Sequence, residues 1–258
     1  MANPDQWARQ AHDAGYRSRA SYKLKQLDEE YDLFSQGDTV VDLGAAPGGW
    51  LQVAAESIGH RGHVVGVDRR RIESLEGFDV KIDLLQGDLT DQTTIEELAL
   101  IVEDSVDIVL SDMAPNMTGQ YDLDHARSIH LAQIAADIAA SLLAPGGTLV
   151  VKVFEGRDLD EFRDSLETGY RYVATARPPA TRDASSELYL ICKERITAPV
   201  SVGDRLTVEI IDVGSEGDGI AKVDGFTLFV AGVETGDTVE ISVTDLKPRF
   251  GFAEPVDR

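Results

Sequence analysis

A single cysteine, Cys192, stands in the 258 residues, so no internal disulfide can form. No Cys/His cluster has the spacing of a zinc site, and no metal is expected. Cys192 falls inside the apolar run Leu188–Cys192 and reads as a buried strand residue, not a reactive thiol. No apolar stretch approaches the ~18 residues that span a bilayer. Met1–Tyr16 is polar and lacks the apolar centre of a secretory signal. A cytoplasmic protein without a membrane partner is the resulting expectation. Low-complexity segments and internal repeats are absent as well. Lysine is scarce: 7 of the 24 basic residues are Lys and the rest Arg.

Acidic residues are abundant, 46 in all, and leave a formal net charge of −22. Taken alone, that charge opposes binding to a nucleic acid, itself a polyanion. The acid-rich, lysine-poor composition resembles that of proteins adapted to high internal salt, as in haloarchaea. At molar salt the Debye length falls to roughly 3 Å and global repulsion is screened. Local charge then decides, and residues 6–27 form a basic island. They carry Arg9, Arg17, Arg19, Lys23 and Lys25 against one acid, Asp13.

From Thr39 to about Lys193 short Val- and Ile-rich runs alternate with helical stretches. The runs Thr39–Leu43, His63–Val67, Ile82–Leu85, Val106–Leu110, Thr148–Val153 and Glu187–Cys192 read as buried strands. Helices are expected over Gly48–Ile58, Thr93–Val102 and His125–Leu143, the last stopped by Ala144-Pro145-Gly146-Gly147. Such alternation implies a mostly parallel sheet with helices on both faces. Beyond Ala198-Pro199 the pattern changes to short strands (Arg205–Ile211, Gly219–Val223, Thr227–Val230, Asp237–Val243) separated by Gly/Asp turns. An α/β domain over 1–197 and a small closed β-barrel over 198–258 follow.

The first strand runs into Asp42-Leu43-Gly44-Ala45-Ala46-Pro47-Gly48-Gly49-Trp50. Glycines there let the backbone turn tightly against a ligand at a helix N-terminus. The spacing is not G-x-G-x-x-G, which weakens a nicotinamide oxidoreductase reading. An acid before the turn, Asp42, suits S-adenosylmethionine, whose amino-acid end carries an ammonium and no phosphate. The second strand ends in Asp68, suited to a ribose diol, and the third in Gln86-Gly87-Asp88, a carboxylate placed to accept from an adenine amino group.

Four ionisable residues sit at strand ends or just before the first strand: Lys23, Asp112, Lys152 and Glu187. Lys152 lies inside the apolar run Leu149–Phe154. A desolvated ammonium there needs a carboxylate partner or a lowered pKa. With these residues in view, Tyr16–Leu24, Val40–Trp50, Gln86–Asp88, Ser111–Gly119 and Leu143–Gly156 closely resemble the FtsJ/RrmJ (RlmE) family of ribosomal RNA 2′-O-ribose methyltransferases. The likeness covers about residues 14–193 and implies a Rossmann-like fold dependent on S-adenosyl-L-methionine. It implies that Lys23, Asp112, Lys152 and Glu187 are the family's catalytic tetrad. Gly48, Trp50, Asp68, Asp88 and Asp112 are its implied cofactor contacts. The implied substrate is a uridine of 23S, large-subunit ribosomal RNA, within the 50S subunit and not DNA. A ribose hydroxyl is a weak acid, so its attack on a methyl group benefits from a base. Neutral Lys152 fits that role; alternatively Lys152 stays charged and orients the hydroxyl while Asp112 takes the proton.

Arg17 and Arg19, in the basic island, are candidates for phosphate contacts. The tail resembles a TRAM domain, an RNA-binding barrel, through Gly214–Ala221, Phe226–Ala231 and Gly236-Asp237. In Lys247-Pro248-Arg249-Phe250-Gly251-Phe252-Ala253 the cations Lys247 and Arg249 adjoin Phe250, a pairing suited to unpaired RNA. The competing readings are a tRNA 2′-O-methyltransferase and a non-catalytic RNA-binding ribosome-assembly factor, and an intact tetrad speaks against the second.

Overall fold

The computed structural model describes residues 4–256, apart from residues 104 and 183. Two helices, α1 (Pro4–Asp13) and α2 (Ala20–Tyr31), precede the first strand. The chain then runs β1 (Thr39–Leu43), α3 (Gly49–Ile58), β2 (His63–Asp68), β3 (Lys81–Gln86), α4 (Gln92–Val102) and β4 (Val106–Ser111). It continues through α5 (Tyr121–Leu142), β5 (Leu143–Phe154), α6 (Leu159–Glu167), β6 (Tyr170–Ala176) and β7 (Glu187–Arg195).

These strands form a seven-stranded sheet in the order β3-β2-β1-β4-β5-β7-β6. The first five are parallel, and β7 runs antiparallel to both β5 and β6. Alternate residues of a strand face opposite sides. Val41, Val65 and Val109 therefore pack with Leu98, Ala135 and Phe162 of α4, α5 and α6. Val40, Val64 and Ile108 pack with Leu24, Leu27 and Leu51 of α2 and α3. Coverage on both faces is why the central strands read as unbroken apolar runs.

The parallel strands bring the turns after β1, β2, β4 and β5 to one edge of the sheet, where open α/β folds hold ligands. Glu187, the first residue of β7, pairs with Phe154 at that same edge. Arg195, at the other end of β7, pairs with Tyr170 at the opposite edge.

Several elements differ from the sequence expectation. α1 and α2 emerge where only a basic island was read. α6 and the edge strand β6 were also unread. β6 lacks an apolar run because several of its residues remain accessible. α5 does end before Pro145, but the chain enters β5 directly at Leu143 and carries Pro145-Gly146-Gly147 into the strand past a register shift.

The remaining chain forms β8 (Arg205–Glu209), β9 (Asp212–Val213), β10 (Gly219–Val223), β11 (Phe226–Val230), β12 (Thr238–Leu246) and β13 (Phe250–Pro255). Their sheet, in the order β8-β12-β13-β11-β10-β9, curls so that β10 approaches β8 around Ile210, Leu228, Val230, Ile241 and Val243. Ile196, Ala198 and Val200 pack on this core, rooting the barrel at the end of β7. Among the described residues no helix is long and apolar enough to cross a membrane.

Candidate active site

The turn after β1 is shaped by what lies against it. Gly48 has φ +108°, and a Cβ there would lie 2.8 Å from Nη1 of Arg17. A Cβ on Gly44, φ +80°, would lie 2.5 Å from Cγ of Met113, the residue after Asp112. Both positions thus require glycine for conformation and for room. Asp68, at the end of β2, accepts from the Ala46 N–H at 3.0 Å and the Arg70 N–H at 2.7 Å. The Arg70 guanidinium donates to the Ala46 carbonyl at 2.8 Å. Asp88 closes a local turn by accepting from the Thr90 N–H and hydroxyl at 3.0 and 2.8 Å, and Arg69 lies 3.3 Å away. Those Thr90 bonds hold its carboxyl below the usual range.

Asp42 differs from both. It is buried at 1% exposure, and neither carboxylate oxygen has a hydrogen-bond partner among the described residues. Burial, then the charges of Asp112 and Asp68, push its pKa well above that of an ordinary carboxylate. Three carboxylates facing one another beside a glycine turn repel a pyrophosphate and attract a cation. This donor set fits the sulfonium and ammonium of S-adenosylmethionine, and an orphaned buried carboxylate is the group a cationic ligand would satisfy.

Lys23, Asp112, Lys152 and Glu187 come from four separate elements and meet at the same edge. Lys152, 6% exposed, donates to Asp112 Oδ1 at 2.8 Å and to the Asp112 main-chain carbonyl. Lys23, 4% exposed, donates to Glu187 Oε1. Tyr189, wholly buried, joins the two pairs. Its hydroxyl lies 2.7 Å from Asp112 Oδ1 and 3.3 Å from Glu187 Oε1, and accepts from Lys23 Nζ at 3.3 Å. Tyr189 pairs across the strands with Lys152. Its ring rests 5.8 Å from that of Trp50, whose indole N–H donates to the Ala20 carbonyl at 2.8 Å. Burial raises the pKa of Asp112, but the charges of Lys152 and Lys23 and the bonds from Lys152 and Tyr189 outweigh it. Asp112 is left below the usual carboxylate value and is ionised near neutrality. Burial and the two carboxylates drive the Tyr189 hydroxyl far above its ordinary pKa, so it stays protonated and donates.

The loops bordering this cluster are tied to the start of α5. Buried Asp124 accepts from the Thr118 N–H and hydroxyl, both at 2.8 Å, and from the Gly119 N–H at 3.0 Å. His125 Nδ1 lies 3.0 Å from the Phe154 carbonyl, and its Nε2 is 3.1 Å from the Asp158 N–H. Asp158 Oδ2 also lies 3.5 Å from Nε2, so the ring ties the end of β5 to the start of α6.

The basic island is largely spent within the protein. Arg17 donates to the carbonyls of Pro47, Glu73 and Ser74 at 3.1, 2.7 and 2.6 Å, bracing the turn after β1 against the segment after β2. Main-chain oxygens thus already take the guanidinium expected at a phosphate. Lys25 is 3.3 Å from Glu56. Arg19 makes no ion pair among the described residues. Burial and neighbouring Arg182 lower its pKa, while Glu187 and Asp112 raise it, which sets Arg19 beside the tetrad. Lys247, Arg249 and Phe250 lie on the barrel, away from this edge. The sequence reading missed Tyr189. Period-two alternation from Glu187 was the available signal, since it places both residues on one face and a buried hydroxyl needs a partner. Asp124 and His125 left no comparable signal, because Asp124 closes the loop just before it and His125 meets main-chain atoms about thirty residues away.

Residues 16–195 match the sequence profile of FtsJ-like methyltransferases, and residues 199–256 that of TRAM domains. A Natronomonas pharaonis protein named Ribosomal RNA large subunit methyltransferase E is 57% identical over 100% of both chains. A protein of the same name from Methanosarcina mazei is 45% identical over 98% of this chain and 93% of its own. A solved structure described as a ribosomal RNA methyltransferase of Plasmodium falciparum superposes with a TM-score of 0.61 at 27% identity, covering 70% of this chain and 98% of that one.

Two outcomes are expected from these contacts. A buried acid with a raised pKa favours the folded state while protonated, below the ordinary carboxylate range. It loses that contribution as pH rises through the raised value. The melting temperature of wild type relative to Asp42→Asn should therefore fall between pH 5 and pH 8 in the ligand-free protein; a difference independent of pH would contradict this. Tyr189→Phe removes only the hydroxyl that links the pairs. It should lower methyl transfer by roughly 10- to 100-fold while cofactor affinity, read by calorimetry, stays within a factor of about two. An unchanged rate would show the bridge to be dispensable.

Proposed function

Because the chain belongs to the FtsJ-like methyltransferase family, we propose that it methylates the ribose 2′-hydroxyl of a uridine in 23S, large-subunit ribosomal RNA, with S-adenosyl-L-methionine as donor. The observation that carries this reading is the cluster of Lys152, Asp112, Lys23 and Glu187 around Tyr189, two buried ammonium–carboxylate pairs beside a carboxylate-lined turn. The names of the curated relatives support a large-subunit ribosomal RNA as substrate. The 50S particle is the proposed context and the cytoplasm the proposed compartment.

When bound, the cofactor supplies a methyl group on a positively charged sulfur. Asp42 and Asp68 would hold its cationic and ribose portions and Asp88 its adenine, while Gly48, with φ +108°, turns the chain beside Arg17 and would offer its main chain. Trp50 acts from behind, as the buried plate on which Tyr189 rests. Arg19 takes a phosphate flanking the target ribose. Asp112, held below its usual pKa, is a weak proton acceptor. The proton of the 2′-hydroxyl therefore passes to Lys152 Nζ once that ammonium has given up its own proton to solvent, while Asp112 fixes the nitrogen's direction. Lys23 and Glu187 anchor the other side of Tyr189. Holding hydroxyl and methyl in line contributes much of the acceleration, since oriented reactants gain up to ~7–11 kcal/mol over free collision.

A labelled-methyl assay on 50S particles, free 23S ribosomal RNA and tRNA tests the substrate. Label in tRNA alone would favour the tRNA reading, and label in none would favour an assembly factor. Lys152→Ala should reduce methyl transfer about 10²- to 10⁴-fold with cofactor affinity retained, and full activity would remove Lys152 from the chemistry. Asp112→Ala should also abolish transfer. It leaves Lys152 buried without its carboxylate, at a stability cost of about 3–5 kcal/mol, which a thermal melt of the same sample would register.

A further inference from the structure

We propose that Tyr121 seats the base of the methylated nucleotide, the uracil stacking on its ring while the ribose hydroxyl is held at Lys152. The proposal deepens the RNA methyltransferase reading and rests on it.

Three large apolar side chains, Met117, Tyr121 and Leu123, stand exposed in the segment that leads from Asp112 into α5. Large apolar side chains gathered on a surface mark a place of contact. The segment is nonetheless firmly held. Asp124 is buried and takes three hydrogen bonds from Thr118 and Gly119, with Gly119 at φ +82° making the bend. The Tyr121 hydroxyl donates to the Glu155 carbonyl at 2.6 Å, yet the residue is 58% exposed. A tyrosine used for packing buries its ring and leaves the hydroxyl to water. Tyr121 does the reverse: its polar tip is fixed on the protein and its apolar body is bare. A rigid, accessible ring is a platform for a flat partner, and ordering it in advance removes that cost from binding.

The anchor of this ring belongs to the catalytic edge. Glu155 follows the last residue of β5, and its N–H donates to the Ser186 carbonyl at 2.7 Å, one residue before Glu187. Three residues separate Glu155 from Lys152, which at ~3.3 Å per residue is about 10 Å along the strand. One nucleoside bridges that distance, with its sugar at the ammonium and its base at the phenol.

The other side of the tetrad is cationic. α5 packs on one face of the sheet and α2 on the other. Tyr121 opens α5, and Arg19 directly precedes α2, so the two flank the tetrad from opposite faces. Burial and the charge of Arg182 lower the pKa of Arg19, while Glu187 and Asp112 raise it, which sets a second guanidinium beside the first. Arg182 is exposed, and Arg177 steadies its loop by donating to the Ser185 carbonyl. An apolar ring on one wall, guanidiniums on the other and the buried pairs at the floor match the three parts of one nucleotide: flat base, anionic phosphate and the hydroxyl between them.

The test uses full-length protein and 23S ribosomal RNA ligated from segments, either free or reassembled into 50S particles, whichever the wild type labels. The labelled uridine is replaced by dihydrouridine, whose saturated ring stacks poorly, or by a ribose without a base. On the uridine RNA, Tyr121→Ala should lower kcat/KM by roughly 10- to 100-fold, chiefly through KM. Tyr121→Phe keeps the ring and should recover most of that loss, and neither substitution should move the cofactor Kd or the melting temperature. On the baseless RNA, wild type and Tyr121→Ala should react at the same rate, with dihydrouridine between the two cases. An equal loss from Tyr121→Ala on uridine and baseless RNA would overturn the proposal, because the ring would then support the loop and not the base. So would wild-type kcat/KM in Tyr121→Ala. Cancellation of the loss only when the neighbouring base is removed would also overturn it, by placing a different nucleotide on the ring. Failure of the underlying function reads out separately, as wild-type protein that leaves the uridine RNA unlabelled.

Discussion

The ammonium of Lys152 buried against Asp112 is the constraint around which the catalytic edge is arranged. Two ions withdrawn from water cost several kcal/mol each, and mutual attraction offsets this only with good geometry and further hydrogen bonds. Asp112 receives those bonds from Lys152 and Tyr189. Tyr189 is held by its place on β7 and by the Trp50 ring, and Trp50 is tied to α2 through Ala20. A seven-stranded sheet with covered faces keeps the four contributing elements in register. Loosening any of them would open the pair to water and return lysine and aspartate to ordinary, solvated behaviour.

The neighbouring cleft follows the opposite electrostatic logic. Asp42, Asp68 and Asp112 crowd together, and Asp42 has neither a cation nor a hydrogen bond among the described residues. Arginines 69 and 70 engage Asp88 and Asp68 from outside, while Arg17 braces the turn through carbonyl oxygens. Acidic groups are thus gathered where the proposed reaction would receive a cationic methyl donor, and basic residues hold the rim. Net charge of −22 conceals this pattern because it averages over surface that takes no part in binding.

How far the sequence disclosed this depends on the kind of contact. The buried strands showed themselves as Val- and Ile-rich runs because both faces of the sheet are covered. β6 did not, since an edge strand with accessible residues has no such run. Lys152 stood out because an ammonium inside an apolar strand demands a partner, and its partner is Asp112. Tyr189 did not, because its importance arises from pairing with Lys152 across an antiparallel junction. Arg17 looked like a free cation, for nothing in a sequence shows which way a carbonyl on a distant loop will point. The barrel's aromatic face was half legible: Phe250 lay in a visible cluster, but Phe229 joins it only through the parallel pairing of β11 with β13.

In the proposed reaction the Lys152 amine accepts the proton of the ribose hydroxyl. Replacing Lys152 with cysteine and alkylating it to aminoethylcysteine installs a weaker base in the same place. Cys192 would not interfere, being buried with its thiol pushed up to about 12. Single-turnover methyl transfer should then show its rising pH limb displaced to lower pH by the difference in basicity between the two amines. A limb that stays where the wild-type enzyme has it would contradict the account.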